Sequence, residues 1–246
     1  MIYLNNVPVN VTTFPDGTSQ VWKVEGIHPE INYVKWVFES EAEFVHVMQL
    51  AGLLAVEAEN AIKTLYMPFL PYGRQDKEIS NDTTWAMELL RVCMLSLYDV
   101  ISTFDAHSEV PGIESISAIP TIQRTLSEVG ASAVCYPDAG AKARYDDGLN
   151  KASICLEKHQ DQSSGDITGM SVSDFSERVF PDSVLIVDDI CDGGRTFIEA
   201  TKLLKETYGP GIDVSLYVSH GIFSKGVDIL REAGICNIFT REGRVV

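Results

Sequence analysis

No stretch of about 18 consecutive apolar residues occurs in this 246-residue chain, which excludes a hydrophobic membrane-spanning helix. Positive charge is scarce. There are 19 Lys and Arg against 35 Asp and Glu, a formal net charge of −16 and a pI near 4.6. So acidic a surface repels nucleic acid and anionic membrane, and neither is expected as a partner. It repels anionic metabolites too, so a phosphate site here must be locally basic or metal-loaded. Cysteine is limited to Cys93, Cys135, Cys155, Cys191 and Cys236, an odd number in which no two share metal-ligand or redox-motif spacing. They read as reduced core thiols of a cytoplasmic protein. The opening residues, Met1-Ile2-Tyr3-Leu4-Asn5-Asn6, lack the basic and apolar regions of a signal peptide. Internal repeats and low-complexity tracts are absent.

What is present is enough apolar material for a large core: 45% of residues are hydrophobic, so global disorder is excluded. Residues 7–38 alternate as strands around a turn at Pro15-Asp16-Gly17. Residues 41–60 predict a helix whose apolar stripe is Phe44, Val45, Met48, Ala51, Leu54 and Ala55. Residues 62–69 predict a buried strand, Asn81 or Asp82 caps a helix that runs to Leu97, and Val100–Phe104 is a strand ending at Asp105. The second half repeats the alternation. Helices are expected over 120–129, 141–149, 195–207 and 224–233, and strands over 133–136, 152–156, 183–187, 213–218 and 235–239. A polar stretch at 160–166 is expected to be mobile. Strands alternating with helices predict an α/β fold with mostly parallel sheets, and a crease near residue 130 divides it into halves 1–130 and 131–246. Such sheets bind ligands in the loops beyond the strand C-termini.

Four of those loops carry chemistry. After Val184-Leu185-Ile186-Val187 come Asp188 and Asp189, whose carboxylates can accept hydrogen bonds from vicinal hydroxyls. Asp192, Gly193, Gly194, Arg195 and Thr196 follow, a glycine turn into a helix N-terminus with a guanidinium and a hydroxyl added. Hydroxyl acceptors beside an anion nest describe a phosphorylated sugar. The loop Pro71-Tyr72-Gly73-Arg74-Gln75-Asp76-Lys77 reads either as a nucleotide contact or as a solvated charged turn. Asp105 and His107 end a strand and can serve a metal, or be structural. Asp138-Ala139-Gly140-Ala141-Lys142, with Arg144 beyond, repeats the acid–small–cation design and lets the backbone approach a diphosphate.

In this order the four loops resemble ribose-phosphate diphosphokinase (PRPP synthetase), and the first is similar to the PRPP-binding motif of type I phosphoribosyltransferases. Phe14-Pro15-Asp16-Gly17 and Ser219–Ser224 are similar to further family segments, so the resemblance runs from about residue 14 to 240. It implies two phosphoribosyltransferase-like halves, Mg²⁺, ATP as co-substrate and a homo-oligomer, dimer or hexamer. It implies that Arg74, Gln75 and Asp76 hold ATP, with Phe14 and Asp16 reaching a neighbouring subunit's adenine. His107 and Asp138 would bind Mg²⁺. Ala139, Gly140, Ala141 and Lys142 would line the diphosphate site. Asp188 and Asp189 would take the ribose hydroxyls, and Asp192 to Thr196 the 5-phosphate. Lys158 matches the family's catalytic-loop lysine, and with Arg74 and His107 completes the implied catalytic set.

The chain departs from the pattern at Gln160, Thr18, Lys77 and Arg195, and both ends are short against the family's terminal helices. Arg195 adds a cation where the 5-phosphate should sit, which suits an acceptor with more than one phosphate. The chain is also similar to a compact, phage-type branch that uses ADP-ribose in NAD⁺ synthesis, which would place it in a host cytoplasm. Ribose 5-phosphate and ADP-ribose both stand as acceptors. A phosphoribosyltransferase and a non-catalytic regulatory homologue stand as alternatives.

Overall fold

The computed structural model describes residues 1–160, 167–175 and 180–246, without the side chains of residues 158–160, 167–168 and 175. It divides into two compact units, Met1–Ser117 and Ala118–Val246.

The first unit opens with strands β1 (Ile2–Leu4) and β2 (Val7–Pro8). A separate hairpin follows, β3 (Val11–Thr13) and β4 (Ser19–Val21), turning at Gly17 with φ 86°. Next come β5 (Ile31–Trp36), α1 (Ala42–Glu57), β6 (Ile62–Met67), α2 (Ala86–Leu95), β7 (Val100–Phe104) and β8 (Glu114–Ile116). The main sheet runs β2-β1-β5-β6-β7-β8, parallel from β5 to β8. Its core joins Val34, Trp36, Leu65, Met67 and Ile101 to Val47, Leu50 and Leu54 of α1 and to Leu90 and Met94 of α2.

The buried face of α1 is His46, Val47, Leu50, Ala51 and Leu54. This corrects the expected stripe, because Val45 and Met48 point outward. The helix is apolar on both sides, so periodicity alone picks the wrong face. Helix α2 also begins later than predicted. Ser80, Asp82 and Thr83 bond among themselves in a turn instead of capping it.

The second unit contains α3 (Ile119–Val129), β9 (Ala133–Tyr136), α4 (Ala139–Leu149), β10 (Ser153–Gln160) and β11 (Ile167–Phe175). It continues with β12 (Ser183–Cys191), α5 (Arg195–Tyr208), β13 (Asp213–Gly221), α6 (Asp228–Glu232), β14 (Ile235–Thr240) and β15 (Gly243–Arg244). The described strands form one sheet, β11-β10-β9-β12-β13-β14-β15, with only the edge strands β11 and β15 antiparallel. β9 and the Val184–Val187 run of β12 are fully buried, as strands covered on both faces must be.

The α/β reading with two mostly parallel sheets therefore holds. The units part before α3, earlier than the crease near 130, because α3 packs on α4, β12 and β13. Two further expectations change. β11 takes up residues assigned to no element, and residues 161–166 of the polar stretch lie outside the described set. The helix expected over 224–233 shrinks to α6 because the chain first turns at Phe223 (φ 48°) and Gly226 (φ 77°). Among the described residues, no helix is long and apolar enough to cross a membrane.

Candidate active site

In the second unit the chain passes from β9 to β10 on one side and returns to β12 on the other. β9 and β12 are therefore neighbours whose following connections diverge. That is a topological switch point, where the C-terminal strand ends open a crevice. The Asp138 loop leaves β9 there and the Asp188–Thr196 segment leaves β12.

β12 continues through Cys191, so Asp188 and Asp189 lie within the strand and not beyond it. Alternation sends them to opposite sides. Asp189 is buried at 4% exposure, and its carboxylate lies 3.2 Å from the Arg144 guanidinium of α4. Asp188 stays partly exposed, and its Oδ1 accepts a hydrogen bond from the Asp189 backbone N–H at 2.9 Å. Burial raises the Asp188 carboxyl well above the usual aspartate range, reinforced by the negative charges of Asp189 and Asp138. The sequence treats the two acids as one pair. The fold separates them into an Arg-bound acid and a partly open one.

Next, β12 pairs with β13 as far as Cys191↔Gly221. The Cys191 carbonyl accepts from the backbone N–H groups of Ile222 and Phe223, which holds the segment after β13 beside the glycine turn. A Cβ on Gly221 would stand 2.1 Å from the Phe223 ring, so that approach requires glycine. Gly194, at φ 76°, caps α5 in the left-handed conformation, and a Cβ there would meet Leu230 at 3.0 Å. The turn thus aims the first N–H groups of α5 outward, an arrangement suited to an anion. Arg195 and Thr196 begin that helix, and Asp192 and Arg195 are exposed. The Lys225 stem lies 3.6 Å from where a Cβ of Gly193 would be, which brings an exposed cation beside the turn. Lys225 went unnoticed in the sequence. Its only local signal is a charge one residue past the Ser219–Ser224 segment.

Burial, with Asp188 and Asp192 nearby, pushes the Cys191 thiol up to about 12. A thiolate nucleophile at this strand end is therefore disfavoured.

α4 begins with Ala139, Gly140 and Ala141 behind the N-cap Asp138, whose side chain accepts from the Ala141 N–H at 3.0 Å. One Asp138 oxygen is committed to the cap. Lys142 pairs with Asp174 of β11 at 2.5 Å, and that bond raises the lysine pKa. Lys158 lies on β10, but its side chain and that of Gln160 are outside the described residues.

In the first unit, the 71–77 loop follows β6. Tyr72 takes φ 61° and its hydroxyl donates to Glu41 at 3.1 Å, while the Gln75 N–H donates to the Tyr72 carbonyl at 2.7 Å. Arg74 and Gln75 are exposed and Asp76 is half-buried. A Cβ on Gly73 would stand 4.0 Å from the Cβ of His107, which is exposed beyond the end of β7, so the fold brings these two loops together. Asp105 is buried at φ 47°. At the hairpin tip, Phe14 is exposed and Asp16 accepts from the N–H and hydroxyl of Thr18, which lowers its pKa.

Among the described residues, no three His, Cys, Asp or Glu side chains converge as a ready metal cluster. The donor chemistry nevertheless fits a divalent ion. The charge of Asp138 already acts on Asp188, and such oxygen donors are what a hard cation neutralises.

No protein-family model matches the chain. Curated proteins do. It is 26% identical over 240 residues to the ribose-phosphate pyrophosphokinase of Sulfurisphaera tokodaii, covering 92% of this chain and 81% of that one. It is 24% identical over 244 residues to the enzyme of the same name from Pyrococcus abyssi, covering 90% and 79%. In fold it is similar to the phosphoribosylpyrophosphate synthetase of Mycobacterium smegmatis, with TM-score 0.72, 20% identity and coverage of 95% and 79%.

Proposed function

We propose that this chain, a homologue of the ribose-phosphate pyrophosphokinases, transfers the β,γ-diphosphate of ATP to the anomeric hydroxyl of a ribose 5-phosphate group. The hydroxyl oxygen bonds to the β-phosphorus, the bond from that phosphorus to the α,β-bridging oxygen breaks, AMP leaves, and the hydroxyl proton is lost. The observation that carries this reading is one crevice in the second unit. It joins a partly open aspartate, a glycine turn at a helix N-terminus and the N-terminus of a second helix.

Asp188 accepts hydrogen bonds from the ribose hydroxyls, while Asp189 is held by Arg144 and sets the strand end. The turn from Asp192 to Thr196 takes the 5-phosphate on backbone N–H groups, the Arg195 guanidinium and the Thr196 hydroxyl. Ala139 to Lys142 line the diphosphate site at the N-terminus of α4. In the first unit Arg74, Gln75 and Asp76 position ATP, with Phe14 and Asp16 reaching a neighbouring subunit's adenine; Arg74, and in the second unit Lys158, stabilise charge on the transferring group. In the second unit Asp138 and Asp188, and in the first unit His107, are groups that would hold Mg²⁺, which when bound offsets triphosphate charge. Such transfer depends on positioning and charge neutralisation, so no side-chain nucleophile is required.

Lys225 beside Gly193 supports ADP-ribose over plain ribose 5-phosphate, because with Arg195 it gives the turn two cations for an acceptor with two phosphates. AMP release from ATP and Mg²⁺ is to be measured with each acceptor in parallel. Release with ADP-ribose above ribose 5-phosphate supports both parts. Release with ribose 5-phosphate alone removes the Lys225 argument, and release with neither removes the diphosphokinase reading in favour of a phosphoribosyltransferase or regulatory protein.

A further inference from the structure

The 71–77 loop takes a backbone turn that its sequence does not favour. Tyr72 sits at φ 61°, in the left-handed region where a residue with a side chain is strained. The neighbouring Gly73, which could take that conformation freely, does not. Strain of this kind persists only where the surrounding structure holds it.

The surrounding structure does hold it. The Tyr72 ring packs against the buried core of the first unit. Its hydroxyl donates to Glu41 at 3.1 Å, 31 residues away in the chain. Its carbonyl accepts from the Gln75 N–H at 2.7 Å, and the Gln75 carbonyl accepts from the Met87 N–H of α2 at 3.4 Å. The loop is thereby tied toward α1 through Tyr72 and toward α2 through Gln75, with the exposed Arg74 between the two ties. Glu41 is free for this task. It occupies the N-cap position of α1, yet its side chain makes no capping bond to that helix. The carboxylate reaches across to the loop instead. Burial first, and then the bond to Glu41 and its charge, push the Tyr72 hydroxyl above its usual range, so it keeps the proton that it donates. A ring that only filled space would need no hydroxyl, and phenylalanine would serve as well.

We propose that Tyr72 is a positioning residue for ATP: its hydroxyl, held by Glu41, fixes the strained turn that presents Arg74, Gln75 and Asp76. Tyr72 and Glu41 act through the loop and need no contact with the nucleotide. The inference rests on the reading of residues 74–76 as the ATP contact, and adds to it the two side chains that shape that contact.

The test compares Tyr72→Phe, Glu41→Ala, Glu41→Gln and the double variant Tyr72→Phe with Glu41→Ala, with Arg74→Ala as the control. Four quantities are read: the calorimetric Kd for ATP with Mg²⁺, the KM of the better acceptor of ADP-ribose and ribose 5-phosphate, the Tm, and hydrogen exchange of the Gln75 amide. Tyr72→Phe and Glu41→Ala should each raise the ATP Kd about fivefold, the size of one accessible hydrogen bond to a charged group. The double variant should be no worse than either single, because both remove the same bond. Glu41→Gln keeps an acceptor and should stay within about twofold of wild type. The acceptor KM should not move, the Tm should stay within about 2 °C, and Gln75 exchange should quicken about fivefold in Tyr72→Phe. An unchanged ATP Kd in Tyr72→Phe, while Arg74→Ala weakens ATP, overturns the positioning role and leaves the ATP loop standing. An unchanged ATP Kd in Arg74→Ala overturns the ATP reading of the loop and this inference with it. Additive losses in the double variant, or an acceptor KM that rises as much as the ATP Kd, overturn it too. If Tyr72→Phe fails to fold, the contrast between Glu41→Ala and Glu41→Gln decides alone: equal ATP affinities overturn the tie.

Discussion

Replacing Asp188 with Asn separates a binding role from a folding role. The Asp188 carboxyl is raised above its usual range by burial first, then by the charges of Asp189 and Asp138. A raised folded-state pKa means that the native chain holds a proton where the unfolded chain has lost it. Stability therefore falls as pH rises from the ordinary aspartate value through the folded value, and at neutral pH the buried carboxyl costs stability. Asn removes that cost and keeps an oxygen for the Asp189 N–H, which Asp188 accepts at 2.9 Å. Each pKa unit of elevation is worth about 1.4 kcal/mol, so Asp188→Asn should stabilise the metal-free protein at pH 7 by about that much for every unit by which the fold raises the group. For a chain of this size each kcal/mol gained raises the Tm by about 2–4 °C. The gain should vanish as pH falls below about 4, where aspartate is protonated in the unfolded chain as well. The same change should raise the acceptor KM at least about tenfold while leaving ATP affinity near wild type, since the amide nitrogen cannot accept a hydroxyl hydrogen. Melts in EDTA from pH 4 to 8, with acceptor kinetics at neutral pH, read both effects. An unchanged or lowered Tm at pH 7 refutes the electrostatic reasoning; an unchanged acceptor KM refutes the ribose assignment.

Asp189→Asn should act in the opposite sense on stability. Its carboxylate faces Arg144 at 3.2 Å with 6% of the side chain exposed, so its loss strands a guanidinium and should lower stability by about 2–3 kcal/mol in a denaturant titration. Gly194→Ala imposes the left-handed conformation on a residue with a Cβ and presses it to 3.0 Å from Leu230. A stability loss of about 1–2 kcal/mol with a raised acceptor KM is expected, and normal values of both would contradict the role of that turn. Lys225→Ala should weaken ADP-ribose about tenfold and ribose 5-phosphate less, measured as the ratio of the two kcat/KM values.

Much of the second unit is legible in the sequence, because its central strands are buried on both faces and read as apolar runs. Val184–Val187 followed by acids, glycines and a helix announces both strand and loop. The division of labour between Asp188 and Asp189 is not legible, since it depends on Arg144 arriving from α4. Lys225 is equally hidden. It reaches Gly193 only because the Cys191 carbonyl binds the N–H groups of Ile222 and Phe223. In the first unit α1 misleads, because Val45 and Met48 continue an apolar pattern on the side away from the core. That one face of this unit's sheet stands exposed is invisible locally as well. Ile31, Tyr33, Ile62 and Val100 look like ordinary buried-strand residues until the helices are placed.

The most direct test of the diphosphokinase reading is the fate of the diphosphate. Purified protein is incubated with ATP, Mg²⁺ and either ADP-ribose or ribose 5-phosphate, and the products are identified by mass spectrometry. Expected are AMP and, in equal amount, the acceptor carrying one intact diphosphate. ADP with a singly phosphorylated acceptor, or an acceptor left unchanged, would contradict it.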